Sequence, residues 1–155
     1  MIYLHLHFYV VRGRYTEIEG LPYMTRPKKD GIGNLAALIE QISPRLPTDM
    51  IIFSFSGEKL ILRAGLDSSL WSDLELIFHE VAYMALPTYM NSVTIRIGAK
   101  KERDLVRERC NALSDTDHVI ELIEDEDWPE GEKRHLIAAG SLTWRDLSDQ
   151  AAHGV

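Results

Sequence analysis

Residues 50–64, MIIFSFSGEKLILRA, indicate a β-hairpin. Met50 to Ser56 and Lys59 to Ala64 are two short, mostly apolar runs of the length of β-strands. Gly57 and Glu58 separate the two runs, and a two-residue connection that contains glycine is typical of a tight turn. We therefore predict two antiparallel neighbouring strands in the middle of the chain.

Hydrophobic periodicity predicts the other elements. Alternating side chains predict three more strands, which are Ile2 to Val11, Ser92 to Gly98 and His118 to Ile123. Apolar side chains at helical spacing predict helices from Asn34 to Ile42, from Asp67 to Leu86 and from Lys100 to Leu113. Residues 129–152 are predicted to form two short helices that are broken at Gly140 and Ser141.

The first six elements follow the order β-α-β-β-α-β, which predicts an α+β fold of the ferredoxin-like type. We expect a mixed or antiparallel sheet of about four to five strands with helices on one face, and an α-β-α-α extension at the C-terminus. Residues 1–155 are long enough for one domain with its own core. Within that domain we expect a core over residues 1–98 and an acidic extension over residues 99–155.

The composition predicts a cytoplasmic protein. The apolar stretches are far shorter than the roughly 20 residues of a membrane-spanning helix. The first residues, MIYLHLHFYVVRGR, place arginines after the apolar run, which is not the pattern of a signal peptide. Cys110 is the single cysteine, so no disulfide can form within the chain.

Charge is distributed unevenly along the chain. Residues 1–110 hold 13 acids and 14 Lys/Arg, whereas residues 111–155 hold 11 acids and 3 Lys/Arg, so the net charge of −7 arises in the last third. Nucleic acid is an unsuitable partner for such an acidic surface, because phosphates require neutralising cations.

Residues 121–132, ELIEDEDWPEGE, contain seven acids in twelve positions. Four successive acids repel one another, so we expect them to face water, a metal or a basic partner. The calcium-loop pattern D-x-[DN]-x-[DN]-G is absent. A solvated connector remains one interpretation. The other is a recognition surface that combines charge for steering with an aromatic anchor. Its predicted residues are Glu124, Asp125, Glu126, Asp127, Trp128 and Trp144.

We therefore expect a binding protein without a cofactor, rather than an enzyme, whose acidic C-terminal surface engages a basic protein. The composition is similar to that of bacterial immunity proteins, which are small acidic proteins that mask toxin nucleases. The resemblance is one of composition only, and it implies an inhibitor or neutralising partner.

Two alternatives stay open. The first is a small enzyme with a histidine-based site, in which His5 and His7 share one strand face and are weak candidates for metal ligands. His79 is a further acid–base candidate, although the HExxH motif fails because position 83 is Tyr83. The second is a homo-oligomer whose interface is the face of the first strand, from Tyr3 to Tyr9.

Overall fold

The computed structural model describes residues 8–9, 32–65, 72–124 and 132–148. Nine strands and two α-helices follow one another within these ranges, and a short 3₁₀ turn, Ser43–Arg45, follows the first helix. In chain order the elements are β1 (Phe8–Tyr9), α1 (Ile32–Ile42), β2 (Thr48–Ser56), β3 (Lys59–Gly65), β4 (Leu74–His79), β5 (Tyr83–Leu86), β6 (Tyr89–Ile97), α2 (Lys100–Arg109), β7 (His118–Glu124), β8 (Lys133–Ala139) and β9 (Ser141–Asp146).

All nine strands belong to one antiparallel sheet, in the order β1-β5-β8-β7-β6-β2-β3-β4-β9. The predicted α+β fold with four to five strands and helices on one face is therefore wrong. The ferredoxin-like order fails because the segment predicted as its second helix forms β4 and β5 instead. No helix in the described part of the chain is long and apolar enough to cross a membrane.

The sheet closes on itself through two long, bent strands. β4 continues into β5, and β8 continues into β9 after a bend at Gly140. β4 pairs with β9 while β5 pairs with β8, so residues 74–86 lie beside residues 133–146 along most of their length. Since β8 also pairs with β7 and β4 also pairs with β3, the remaining strands complete the circuit. Closure removes most of the unpaired strand edges.

The main hydrophobic core fills the inside of this closed sheet. Alternate residues of every long strand point inward, including Leu60 and Leu62 of β3 and Ile120 and Leu122 of β7, all fully buried. α1 packs against β6 and β9 and adds Leu35 to the same core. A smaller cluster lies outside the sheet, where α2 covers β7 and β8.

Several sequence predictions are confirmed. β2 and β3 form the predicted hairpin, and Gly57 takes a positive φ of 60° at its turn. β6 and β7 lie where alternation placed them. α2 begins at Lys100 as predicted, and Asp104 accepts the expected ion pairs from Lys100 and Arg107.

The helix predicted from Asp67 to Leu86 is wrong. Residues 66–71 lie outside the described part, and the rest of the segment forms β4 and β5. Five consecutive residues, Leu74 to Phe78, are buried, so both faces of β4 are covered. A strand buried on both faces has no simple alternation, and a short apolar run of this kind fits helical and extended spacing equally.

The two helices predicted in residues 129–152 are also wrong, because this segment forms β8 and β9. The predicted break at Gly140 is real, but it is a bend between strands. The Gly140 amide donates to the carbonyls of His79 and Glu80, at 2.9 and 3.3 Å, and so joins the two long strands where both bend. A Cβ atom at Gly140 would lie 3.0 Å from the Cβ of Glu80.

We predict that Gly140→Ala lowers the free energy of unfolding by about 1–3 kcal/mol, because the added methyl group overpacks the closure of the sheet. Glu80 has a positive φ of 52°, so Glu80→Gly relieves that backbone and also removes the colliding side chain. The double variant should therefore recover most of the loss. Urea denaturation of the four proteins of this cycle measures both effects, and equal losses in the two backgrounds would contradict the steric explanation.

Candidate functional site

The acidic segment connects two paired strands. Glu124 is the last residue of β7 and pairs with Lys133, the first residue of β8. Residues 125–132, which we name the acidic connection, therefore leave and re-enter the sheet at neighbouring points. Asp125, Glu126, Asp127 and Trp128 lie outside the described residues, so their assignment to a partner remains a prediction.

Glu124 and His135 form a buried pair at the base of the connection. The side chains are 6% and 11% exposed, and His135 Nε2 lies 2.7 Å from Glu124 Oε2. A carboxylate can only accept hydrogen bonds, so Nε2 carries the proton and donates it. Glu124 lies two positions from Leu122, and His135 lies two positions from Ile137. Both side chains therefore point to the inside of the closed sheet, as Leu122 and Ile137 do. They occupy one end of the sheet.

The second oxygen of Glu124 is also bonded. The backbone amide of Asn91 donates to Glu124 Oε1 at 2.7 Å, so one carboxylate joins β6, β7 and β8. Burial acts to raise the pKa of Glu124, but the hydrogen bonds from His135 and Asn91, with the charges of His135 and Lys133, outweigh it. The pKa of Glu124 therefore lies below its ordinary value, and the side chain is charged at neutral pH.

This arrangement changes the role of Glu124. The sequence suggested a charge exposed to solvent or to a partner, whereas the side chain is buried and both of its oxygens accept hydrogen bonds within the sheet. The pair of Glu124 and His135 holds the two strands together where the connection begins.

Arg96 of β6 and Arg134 of β8 form ion pairs with acids of β7 and of the connection. Arg96 Nε lies 2.5 Å from Glu121 Oε2, and Arg134 lies 3.4 Å from the other oxygen of Glu121. Arg134 also contacts Glu132, the last residue of the connection, at 2.9 Å. Glu121 is buried on the outer face of β7, so the two guanidinium groups compensate its charge.

Trp144 and Lys133 lie at opposite ends of one bent strand. Trp144 belongs to β9. Its side chain packs against the main core, donates from Nε1 to Gln41 of α1 at 3.3 Å and lies beneath the guanidinium of Arg45. Trp144 thus attaches α1 to the sheet.

Of the histidines considered as catalytic or metal-binding residues, the structure describes His79. His79 ends β4, and its Nε2 lies 3.1 Å from the Thr143 hydroxyl. His5 and His7 lie outside the described residues. Among the residues described, no group of three or more His, Cys, Asp or Glu side chains is placed to hold a metal ion.

Sequence reasoning missed His135 and Asn91. His135 lies 11 positions from Glu124 and Asn91 lies 33 positions away, so only the strand register brings them together. The alternation of His135 with Ile137 and Ala139 is a usable signal, since it places the histidine on an inward face. That signal requires residues 133–139 to be recognised as a strand.

No protein-family model, curated protein or solved structure matches this chain.

We predict that Glu124→Gln lowers the free energy of unfolding at pH 7 by about 1–3 kcal/mol, because it weakens bonds that a buried charge accepts. The pKa of Glu124 is lowered by folding. Its stabilising effect is therefore present above the ordinary glutamate pKa and is lost as pH falls through the lowered folded value. Denaturant unfolding between pH 7 and pH 3 should show a weaker acid dependence in the variant than in the wild type.

Glu132→Gln is the matched control. The side chain of Glu132 is 55% exposed, so its pairing with Arg134 contributes at most about 1 kcal/mol. Similar losses in the two variants would show that the burial of Glu124 is not the source of its effect.

Proposed function

We propose that this protein is a binding protein that engages a basic protein partner through the acidic connection. The observation that carries this function is the placement of the connection at the paired end of β7 and β8, above the buried bonds of Glu124. A short acidic segment whose two ends are fixed loses less conformational entropy on binding than a free chain would. The connection combines this anchorage with five acids and one tryptophan.

The acids of residues 121–132 divide into two groups. Glu121, Glu124 and Glu132 are bonded to side chains of the fold, as described above. The other four, Asp125, Glu126, Asp127 and Glu130, are the ones that we assign to the partner, with Trp128 as the apolar anchor. This division removes Glu124 and Trp144 from the recognition set.

The proposed partner is a protein with a compact basic surface, and an inhibitor or immunity-type role is the form of binding that we favour. Opposite charges accelerate the encounter of two proteins and make its rate depend on salt. Nucleic acid is excluded at the connection, because its phosphates would be repelled. We place the function in the cytoplasm, where the thiol of Cys110 would stay reduced.

We predict that a triple variant, Glu126→Gln, Asp127→Asn and Glu130→Gln, loses the partner in a pull-down from the source lysate. The wild type should retain a basic protein at about 50 mM salt and lose it as salt approaches about 0.5 M, because counterions screen the contact. Affinity for the purified partner should fall at least about tenfold in the variant, which corresponds to the loss of roughly 1.4 kcal/mol.

The matched control neutralises the same residue types elsewhere, through Glu40→Gln, Glu108→Gln and Asp115→Asn. These three residues are exposed on α1, on α2 and before β7. If binding followed net charge alone, the control would weaken it as much as the triple variant does, and the acidic connection would not be the site.

A further inference from the structure

Two exposed aromatic rings lie on neighbouring strands of the outer face of the sheet. In the described part of the chain three large apolar side chains are exposed, and two of them are Phe53 of β2, at 48%, and Tyr89 of β6, at 43%. Tyr89 is aligned with Ile51, two positions before Phe53, so the two residues are diagonal neighbours across the strands. Such neighbours lie about 7–8 Å apart, within reach of one extended ligand.

Polar groups of the sheet hold both rings in place. The guanidinium of Arg63 on β3 lies 3.4 Å from the centroid of the Phe53 ring. Arg63 is aligned with Ile51, as Tyr89 is, so the two rings belong to one face of the sheet. The Tyr89 hydroxyl donates to Asp49 at 2.9 Å. Rings that are fixed in this way lose little conformational entropy when a ligand stacks on them.

Three cations, Lys59, Arg63 and Arg145, lie on outward positions of β3 and β9. Arg63 and Arg145 are aligned on either side of Glu75 of β4, whose oxygens lie 3.2 Å from Arg63 Nε and 3.6 Å from Arg145 Nη1. Glu75 is buried, whereas both arginine side chains stay partly exposed. The carboxylate therefore orients two guanidinium groups that remain open to a ligand.

The acids of this face are engaged within the sheet. Glu75 is shared between the two arginines. Asp49 accepts from the Tyr89 hydroxyl through one oxygen and from the backbone amide of Ser92 through the other, each at 2.9 Å. The face thus combines two fixed rings with three cations, although the whole chain has a net charge of −7.

Rings beside cations are the combination that single-stranded nucleic acid requires. Every base has a flat face that stacks on an aromatic ring or on a guanidinium plane, and rings on neighbouring strands of an antiparallel sheet can take successive bases. The phosphates accept from lysine and arginine N–H groups. A duplex keeps its bases paired and out of reach of the rings. An acidic peptide would pair with the cations, but its carboxylates would leave both rings without a planar partner.

We propose that this surface binds single-stranded nucleic acid, and we name its residues, Phe53, Lys59, Arg63, Tyr89 and Arg145, the stacking face. One base stacks on Tyr89 and the next on the layered Phe53 and Arg63, while Lys59 and Arg145 contact phosphates. The stacking face shares no residue with the set assigned to the basic partner, so this activity goes beyond the proposed function.

Fluorescence anisotropy of labelled single strands of about 12 nucleotides, one of RNA and one of DNA, tests the proposal. Both strands should bind at about 50 mM salt. The affinity should fall at least about tenfold by about 250 mM salt, because up to three neutralised phosphates release their counterions. The same sequence as a duplex should bind at least about tenfold more weakly, since its bases cannot reach the rings.

Substitutions separate the rings from the cations. Phe53→Ser and Tyr89→Ser should each lower the affinity at least about fivefold, because each removes one stacking surface. Tyr89→Phe keeps the ring and should bind within about twofold of the wild type. Arg145→Gln should lower the slope of log affinity against log salt by about 0.7, which is the contribution of one phosphate. The Arg145 side chain is 61% exposed, so this variant keeps the fold.

The matched control is Lys101→Gln with Leu105→Ser on α2. Leu105 is the third exposed large apolar side chain of the described residues, and Lys101 is an exposed cation beside it. The control removes one apolar group and one charge from another surface, so it should bind the strands as the wild type does.

Three results would overturn the proposal. They are the absence of binding at about 50 mM salt, a loss in the α2 control as large as that in the ring variants, and displacement of the labelled strand by polyglutamate as effectively as by unlabelled strand, which would show that the face binds an acidic peptide instead. The ring variants keep every acid of the connection and should still retain the basic partner in the pull-down. Failure of the stacking face and failure of the proposed function are therefore separate observations.

Discussion

The ladder between residues 74–86 and residues 133–146 is the interaction on which the rest of the structure depends. These segments are the two bent strands, and their pairing turns an open sheet into a closed one. An open sheet would leave the apolar sides of β3, β4 and β7 facing water, whereas closure directs them into one core. The bend at Gly140 is necessary because one straight strand could not follow both β7 and β4 around the sheet.

Closure also explains why two carboxylates are buried on the outer face of the sheet. Glu75 and Glu121 are both nearly buried on outward positions, and each lies between two arginines of neighbouring strands. A buried carboxylate is unfavourable unless cations and hydrogen bonds compensate it. The same Arg–Glu–Arg arrangement thus occurs twice, on different strands, and keeps these sheet surfaces polar where neither helix contributes an apolar partner.

The sequence predicted strands correctly where one face of the strand packs in the core and the other face is exposed to solvent. The turn at Gly57 between two apolar runs identified β2 and β3, alternation identified β6 and β7, and apolar side chains at helical spacing identified α2. The sequence pattern failed for β4, β5, β8 and β9. Of these, β4 is buried on both faces, so that Leu74 to Phe78 has no readable period.

The composition of the sequence identified the acidic segment, but it did not predict which way the side chain of Glu124 points. Whether Glu124 points inward or outward depends on strand register, and no local property of the sequence reports that Lys133 pairs with it. Trp144 was grouped with the acids because both lie in the last third of the chain. The fold separates them along one strand.

The buried bonds of Glu124 have an evolutionary consequence. They hold the ends of β7 and β8 through Asn91 and His135, which belong to the sheet and not to the connection. Loop length changes the free energy of closure only slowly. The connection can therefore diverge rapidly, by substitution or insertion, while the scaffold beneath it is retained, and new specificities can arise without a new fold.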